Sequence, residues 1–508
     1  MTKLNKIEKL IPGAVLLGIS SLLSRLLGIF RDRVIAGEFG ASKGVGIFDI
    51  DVYYAAFRLP DFLFAILIVG AVSTAFVPIF SGYVQKKDMK NAWAFANNCL
   101  NLITIAMLGL AIIAFIFAPF IVKILTPGFS AEKLALTAKI TRIMLLSPIF
   151  FTFSAIAQSI ENTFRKFFYY ALAPIFYNLS IIVFTYYFSD IHGIYATTAG
   201  VIVGALLHFL IQLPAIIKLG FRYRPIFDYK RKDFIEMIKL LVPRILSISS
   251  TQINLIVETL IASTLATGSV AVLSYAFNLN SLPMGIIGIS IAIATFSTLS
   301  MLASEDKKDE LIKTVRKNLS NILLLIIPST VGLILLRQEI VELILGTGKF
   351  IEKDITLTAN ALGFFAIGLI GQASIPFLAR VFYAFKNTKT PMKITLVIVL
   401  INVILSVVLT FKFKYGVYGI AFAGGIAHFI GFIMFIWALN KNQIKNILDF
   451  KKIFGYVVLS GIMGVIVYST KNLSDILSIN ILISVLAGAG FYLLFVKILN
   501  LDKQSSIS

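Results

Sequence analysis

Membrane-length apolar runs recur along this chain from near its start to near its end. A helix needs about 20 mostly apolar residues to cross the hydrocarbon layer. Inside that layer every backbone N–H and C=O must find its partner within the protein, which leaves helices or closed barrels. These runs are too long and too apolar for barrel strands, so the predicted fold is an all-α polytopic membrane protein. They fall at roughly 11–32, 52–82, 92–120, 134–160, 168–188, 193–218, 236–264, 270–302, 318–337, 356–384, 392–411, 416–439, 453–470 and 476–499, about fourteen spans. Hydrophobic residues make up 58% of the 508, and charged residues 14%. A soluble domain carries roughly 25% charged residues, and no single water-soluble core could bury this excess. The basic residues Lys3, Lys6 and Lys9 lead into a full-length span, so the first run is expected to be an uncleaved helix. The second and eighth runs exceed a simple span. Pro60 and Pro283 predict a bend in each, because proline lacks the N–H and clashes with the preceding turn.

The formal net charge of +21 would suggest nucleic acid in a soluble protein. Here the positions of the charges explain it without a nucleic-acid partner. Lys86, Lys87 and Lys90, the segment Lys218 to Lys239, Lys307 to Lys317, Lys386 to Lys393 and Lys441 to Lys452 all fall in alternate loops, on the side of the N-terminal lysines. The positive-inside rule then predicts a multi-pass membrane protein with both termini cytoplasmic. An even number of spans satisfies this.

The two halves echo each other. Tyr54-Ala55 recurs as Tyr275-Ala276, each followed by its proline. Thr74-Ala75-Phe76 resembles Ala294-Thr295-Phe296, Asn178 recurs as Asn402, and Gly193-Ile194-Tyr195 as Gly416-Val417-Tyr418. The implied organisation is an N-lobe at 1–220 (spans 1–6), a C-lobe at 233–440 (spans 7–12) and a C-terminal helix pair at 450–500 (spans 13–14). A shift by an even number of spans keeps both repeats in the same orientation. Parallel repeats of this kind enclose a central cavity.

Ionisable groups inside spans are costly and mark function by default. Arg25 lies mid-span, and Arg31 and Arg33 lie at the outer end of the same run. Arg25 reads either as a binding group for an anionic headgroup, since guanidinium pairs bidentately with phosphate, or as a structural partner of Asp61. Arg31 with Asp32 is equally an interfacial pair. Arg58 stands near Asp61 at helical spacing, which suits an intrahelical pair. Lys139, Arg142 and Arg244 read as anchors at span ends, with cavity contact as the other reading. Asn254 and Glu258 share a helix face at i, i+4. With Asn402 and Ser406 they compose a candidate monovalent-cation site, the alternative being helix–helix hydrogen bonding. Cys99 is the single cysteine, and His192, His208 and His428 lie far apart, so no metal site is expected. There is no nucleophile–base pattern and no phosphate-cradling glycine loop. A transporter rather than an enzyme is expected, without a cofactor, driven by membrane potential or a cation.

The motifs SRLLGIFRD at 24–32, DVYYAAFRLPD at 51–61 with TAFVPIF at 74–80, ALAPIFYNLS at 171–180, LATGSV at 265–270 and FYAFKNTKTP at 382–391 resemble the MurJ/MviN family. These are the lipid II flippases of peptidoglycan synthesis, within the multidrug/oligosaccharidyl-lipid/polysaccharide exporter superfamily. The resemblance implies two six-helix lobes, alternating access, and movement of lipid II from the inner to the outer leaflet. It implies headgroup contacts at Arg25 and Arg31 and places the family's early second-span acid at Asp51. Arg58 joins them as a candidate cavity residue. Lipid II or a related polyprenyl-pyrophosphate substrate and the membrane lipids are the expected partners. The chain departs from the family pattern at Phe64, Val69, Phe277 and Asn278, where charged residues are usual. Two expected cavity cations are therefore absent. An exporter of another undecaprenyl-linked glycan or amphipathic small molecule, and a non-transporting membrane scaffold, are the competing expectations.

Overall fold

The computed structural model describes residues 13–69 and 75–501. Lys3, Lys6, Lys9, Thr74 and Lys503 lie outside these residues, and the Arg244 side chain is also outside the description. Every described regular element is helical. Ten helices are long and apolar enough to cross a membrane, or eleven when the pair Glu352–Ile367 and Leu369–Ala384, bent by 46°, counts as one span. The chain is a multi-pass membrane protein.

By packing, the chain forms two compact units. The first is Met1–Ala271 with Gly348–Phe350, and the second is Val272–Thr347 with Ile351–Ser508. In the first unit, α1 (Gly13–Phe39) packs along α7 (Phe167–His192), which pairs in turn with α8 (Ile194–Leu210). Gly200 and Gly204 allow that second contact, because a Cβ at either would press on the α7 backbone. Small residues at helix contacts serve this purpose in membranes. The remaining helices of this unit are α2 (Ile50–Phe64), α3 (Val77–Gln85), α4 (Met89–Leu125), α5 (Ala131–Met144), α6 (Ser147–Thr163), α9 (Leu213–Lys218) and α10 (Lys232–Ser263). A core around Phe76, Phe80, Phe95, Ile156 and Met237 joins α3, α4, α6 and α10.

The segment between α9 and α10 is non-helical, and its backbone groups need partners. Three asparagines one face apart on α4 supply them. Asn97 Oδ1 accepts from Arg224 N at 2.7 Å while its Nδ2 donates to the Arg222 carbonyl at 3.0 Å. Asn98 brackets Asp228 in the same way, at 2.7 and 2.9 Å. Asn101 Nδ2 reaches the carbonyls of Arg224 and Ile226, both at 3.0 Å. A carboxamide carries the donor and acceptor of a peptide group, so these side chains stand in for a neighbouring strand.

The second unit contains α11 (Ser269–Pro283, whose first turn belongs to the first unit), α12 (Ser290–Ser304), α13 (Lys308–Leu335), α14 (Arg337–Leu345), α15 (Glu352–Ile367), α16 (Leu369–Ala384), α17 (Lys389–Val407) and α18 (Val417–Lys441). It also contains α19 (Phe450–Thr470) and α20 (Leu477–Ile498). The last two helices pack together and on α13. Tyr492 Oη donates to the Leu324 carbonyl at 2.7 Å, and the Ser320 and Tyr456 hydroxyls meet at 2.9 Å.

At both positions where a bend was predicted the helix is irregular. Pro60 sits inside α2, which runs into a π-turn at Ala65–Val69. Pro283 ends α11 and is followed by a π-turn at Met284–Ile289. The sequence echo at the glycines also has a backbone counterpart. Gly193 has φ +53 and ψ −138, and Gly416 has φ +55 and ψ −134. Each is the cap from which the following helix, α8 or α18, starts.

Candidate functional site

The first unit gathers most of the charged side chains that fall within helices. Arg31, two turns before the carboxyl end of α1, is held in a fixed pose. Its Nε and Nη2 donate to Asp32 Oδ1 at 3.1 and 2.8 Å, and its Nη1 donates to Asn178 Oδ1 at 3.2 Å. Asn178 itself donates from Nδ2 to the Pro174 carbonyl at 3.0 Å and to Ser24 at 3.4 Å. The Arg31 side chain remains 23% exposed. Tyr53 and Tyr177 lie within its field.

Arg25 sits two turns earlier on the same helix and is part-exposed. Among the described residues neither Arg25 nor Asp61 forms a hydrogen bond or a close ion pair. The alternative of an Arg25–Asp61 structural pair is therefore not realised in this conformation. Asp61 is exposed and feels the charges of Arg58 and Arg31. Arg58 turns to α10, where its Nε donates to Thr259 Oγ1 at 2.7 Å. Glu258 and Asp61 both act on Arg58 electrostatically. Arg31, Arg58 and Asp61 thus form one electrostatic neighbourhood in this unit, with Arg25 on the helix that carries Arg31.

Asp51 has a different setting. It is 2% exposed and its carboxylate is fully engaged. Oδ2 accepts from Gly268 N at 2.7 Å and Oδ1 from Ala271 N at 2.8 Å, capping the amino end of α11. Lys133 Nζ lies 3.1 Å from Asp51 and 2.7 Å from Asp49. Asp49 Oδ1 also accepts from Asp51 N at 3.0 Å. Two carboxylates share one ammonium, and the exposed N–H groups of α11 favour the charge on Asp51. Asp49, in the loop ahead of α2, is pushed up to about 6 by burial and by the neighbouring Asp51. In this conformation Asp51 fastens a helix start and does not face open space.

The four residues of the candidate cation site fall into two pairs. Asn254 Nδ2 donates to Glu258 Oε1 at 2.8 Å in the first unit. Ser406 Oγ donates to Asn402 Oδ1 at 3.3 Å in the second, where both are buried. No group of three metal-ligating side chains occurs among the described residues.

Sequence reasoning missed Lys133, Asp49 and Thr259, and it took Asn178 only as a mark of the repeat. The one available signal was Asn178 placed four residues after Pro174, where a side-chain donor can reach the proline's own carbonyl.

The family model described as Lipid II flippase MurJ matches residues 36–496. A probable lipid II flippase MurJ from Buchnera aphidicola subsp. Acyrthosiphon pisum is 31% identical over 463 residues, covering 90% of this chain and 89% of that relative. The corresponding Thermotoga maritima protein is 29% identical over 490 residues, 96% of each. A solved structure of lipid II flippase MurJ in an inward closed conformation superposes with a TM-score of 0.81 at 30% identity, covering 96% of this chain and all of that one. A multidrug resistance MATE family transporter of the MOP superfamily, in an inward-facing conformation, shares the fold at 15% identity, with a TM-score of 0.68 over 86% of this chain and 98% of that one.

Proposed function

The chain belongs to the MurJ family of lipid II flippases, and we propose on that footing that it carries lipid II from the inner to the outer leaflet of the cytoplasmic membrane by alternating access. One observation carries the reading beyond family membership. The first unit holds Arg25, whose guanidinium has no hydrogen-bond partner among the described residues, and, on the same helix, an Arg31 oriented by Asp32 and Asn178 whose side chain stays partly exposed. A pyrophosphate offers the acceptor oxygens that such forks pair with. Arg58, under the influence of Asp61 and Glu258, is the third cation of the site. Asp51 serves it indirectly, by fixing the chain between α1 and α2.

The test is complementation of a bacterium depleted of its own MurJ. The wild-type chain should restore growth, and Arg25→Ala should not, despite normal membrane levels. Arg31→Lys should restore it poorly, because a point charge replaces a fork. With uncharged Phe64 and Asn278 in place of the usual charged residues, each remaining arginine carries a larger share of the headgroup charge. Failure of the well-expressed wild type, with crosslinking from Arg25 capturing a different polyprenyl-linked glycan, would replace lipid II as the substrate.

For energy coupling, the membrane potential acts on each displaced charge with about 2.3 kcal/mol per 100 mV. The Asn254–Glu258 and Asn402–Ser406 pairs are the places for a coupling cation. Glu258→Gln should leave transport insensitive to sodium if a cation contributes there. Collapse of the potential with sodium held constant reads the other source.

A further inference from the structure

Lys139 and Arg142 take no part in the headgroup site, and the geometry around them is that of a separate one. Lys139, Arg142, Ile143 and Leu146 follow at i, i+3, i+4 and i+7 down one face of α5 and the turn after it. Leu108, Ile112 and Phe115 form the matching stripe on α4. Between the stripes runs a groove of about 590 Å³, which Tyr195 also lines. That volume lies within the usual range of ligand sites, about 300–1,000 Å³. The apolar residues of both walls are exposed on the unit and lie on helices long enough to cross the membrane.

Among the described residues no carboxylate pairs with the cations of this groove. Arg142 Nε donates to the Phe115 carbonyl at 2.9 Å, and its guanidinium lies 5.0 Å over the Phe115 ring. Its terminal nitrogens have no acceptor among the described residues. Lys139 is exposed and forms no hydrogen bond or ion pair among them. No acidic side chain lines the groove. Cations on a membrane-facing surface call for an anion from outside the chain. The rest of the lining is aliphatic or aromatic, which suits an acyl chain and not a free, hydrated phosphate.

We infer that this groove binds an anionic phospholipid, with the phosphate between Arg142 and Lys139 and an acyl chain along Leu108, Ile112 and Leu146. The Phe115 carbonyl aims the guanidinium by taking its Nε and leaves the terminal fork for phosphate oxygens. The site takes a resident lipid and is independent of the headgroup arginines of α1.

Native mass spectrometry of the purified full chain tests this, with phosphatidylglycerol, phosphatidylethanolamine and inorganic phosphate as probes. Wild type should retain phosphatidylglycerol about tenfold more tightly than phosphatidylethanolamine, roughly the worth of one charge-assisted hydrogen bond. Lys139→Gln combined with Arg142→Gln should erase that preference. Lys139→Gln alone breaks no internal contact and should lower it about threefold with unchanged thermal stability. Ile112→Trp should weaken both lipids by filling the groove with the charges kept. Equal retention of the two lipids by wild type, an unchanged preference in Lys139→Gln, or displacement of phosphatidylglycerol by inorganic phosphate would each overturn the assignment.

Discussion

Two carboxylates and one ammonium, buried together at the start of α2, make Asp49 the most pH-responsive group outside the spans. Its folded-state value, near 6, exceeds its ordinary 3.8. The native protein therefore holds this proton more tightly than the unfolded chain does. The resulting contribution to stability is complete below about 3.8 and is lost as pH rises through about 6. The wild-type melting temperature should fall between about pH 4 and 6 through this group, and Asp49→Asn should flatten that part of the profile. Lys133→Ala should be harsher, because it leaves two buried carboxylates against each other. Removing one partner of a buried pair costs about 3–5 kcal/mol, which thermal unfolding at neutral pH would register. None of this was legible from the sequence. Lys133 and Asp51 are 82 positions apart, Asp51 and Gly268 are 217 apart, and Arg31 and Asn178 are 147 apart. A single sequence carries no pairing information over such separations. Asn254–Glu258 and Asn402–Ser406 were legible, because an i, i+4 relation is fixed by helix geometry alone.

The link between α9 and α10 is stabilised by side chains in place of a ladder, and that makes it testable as an element. Asn98 is fully buried and holds both the N–H and C=O of Asp228. Asn98→Ala would remove both hydrogen bonds to the exposed Asp228, at about 0.5–1.5 kcal/mol each, enough to loosen the segment without unfolding the helices. Trypsin should then cut between Arg222 and Lys232 much faster than in wild type, which gel analysis of the fragments would show. The glycine caps differ in a similar way. Both glycines adopt a backbone that other residues reach only at a cost of about 1–3 kcal/mol. A Cβ at Gly193 would also strike the Ile47 carbonyl, whereas one at Gly416 meets open space. Gly193→Ala should therefore lower the melting temperature more than Gly416→Ala. The positions of the two helix irregularities were readable from Pro60 and Pro283. Their π-turn form was not, because it depends on how neighbouring helices re-satisfy the freed carbonyls.

For the molecule as a whole, hydropathy sums along the chain, which is why the membrane helices could be read before any contact was known. The fourteen-span topology with both ends cytoplasmic makes a sharp expectation. Cys99 is the single cysteine and is buried, so Cys99→Ser supplies a cysteine-free background. In it, Glu132→Cys and Asp475→Cys should react with an impermeant maleimide on intact cells. Lys503→Cys should react only after permeabilisation. A reversed pattern would reject the orientation, and an odd one the span count. The proposed headgroup site was half legible at this scale. Its arginines stand out as charges in apolar runs, but which of them is spent on internal partners depends on packing.

The two glycine caps carry a consequence for heredity. A glycine codon reaches alanine, valine, serine, cysteine, arginine, aspartate, glutamate or tryptophan by one base change, and none of these settles readily at φ near +54 with ψ near −136. Every one-step missense path out of Gly193 or Gly416 therefore crosses a less stable protein. Drift can rewrite the apolar faces of both halves and still leave these two codons as matching landmarks.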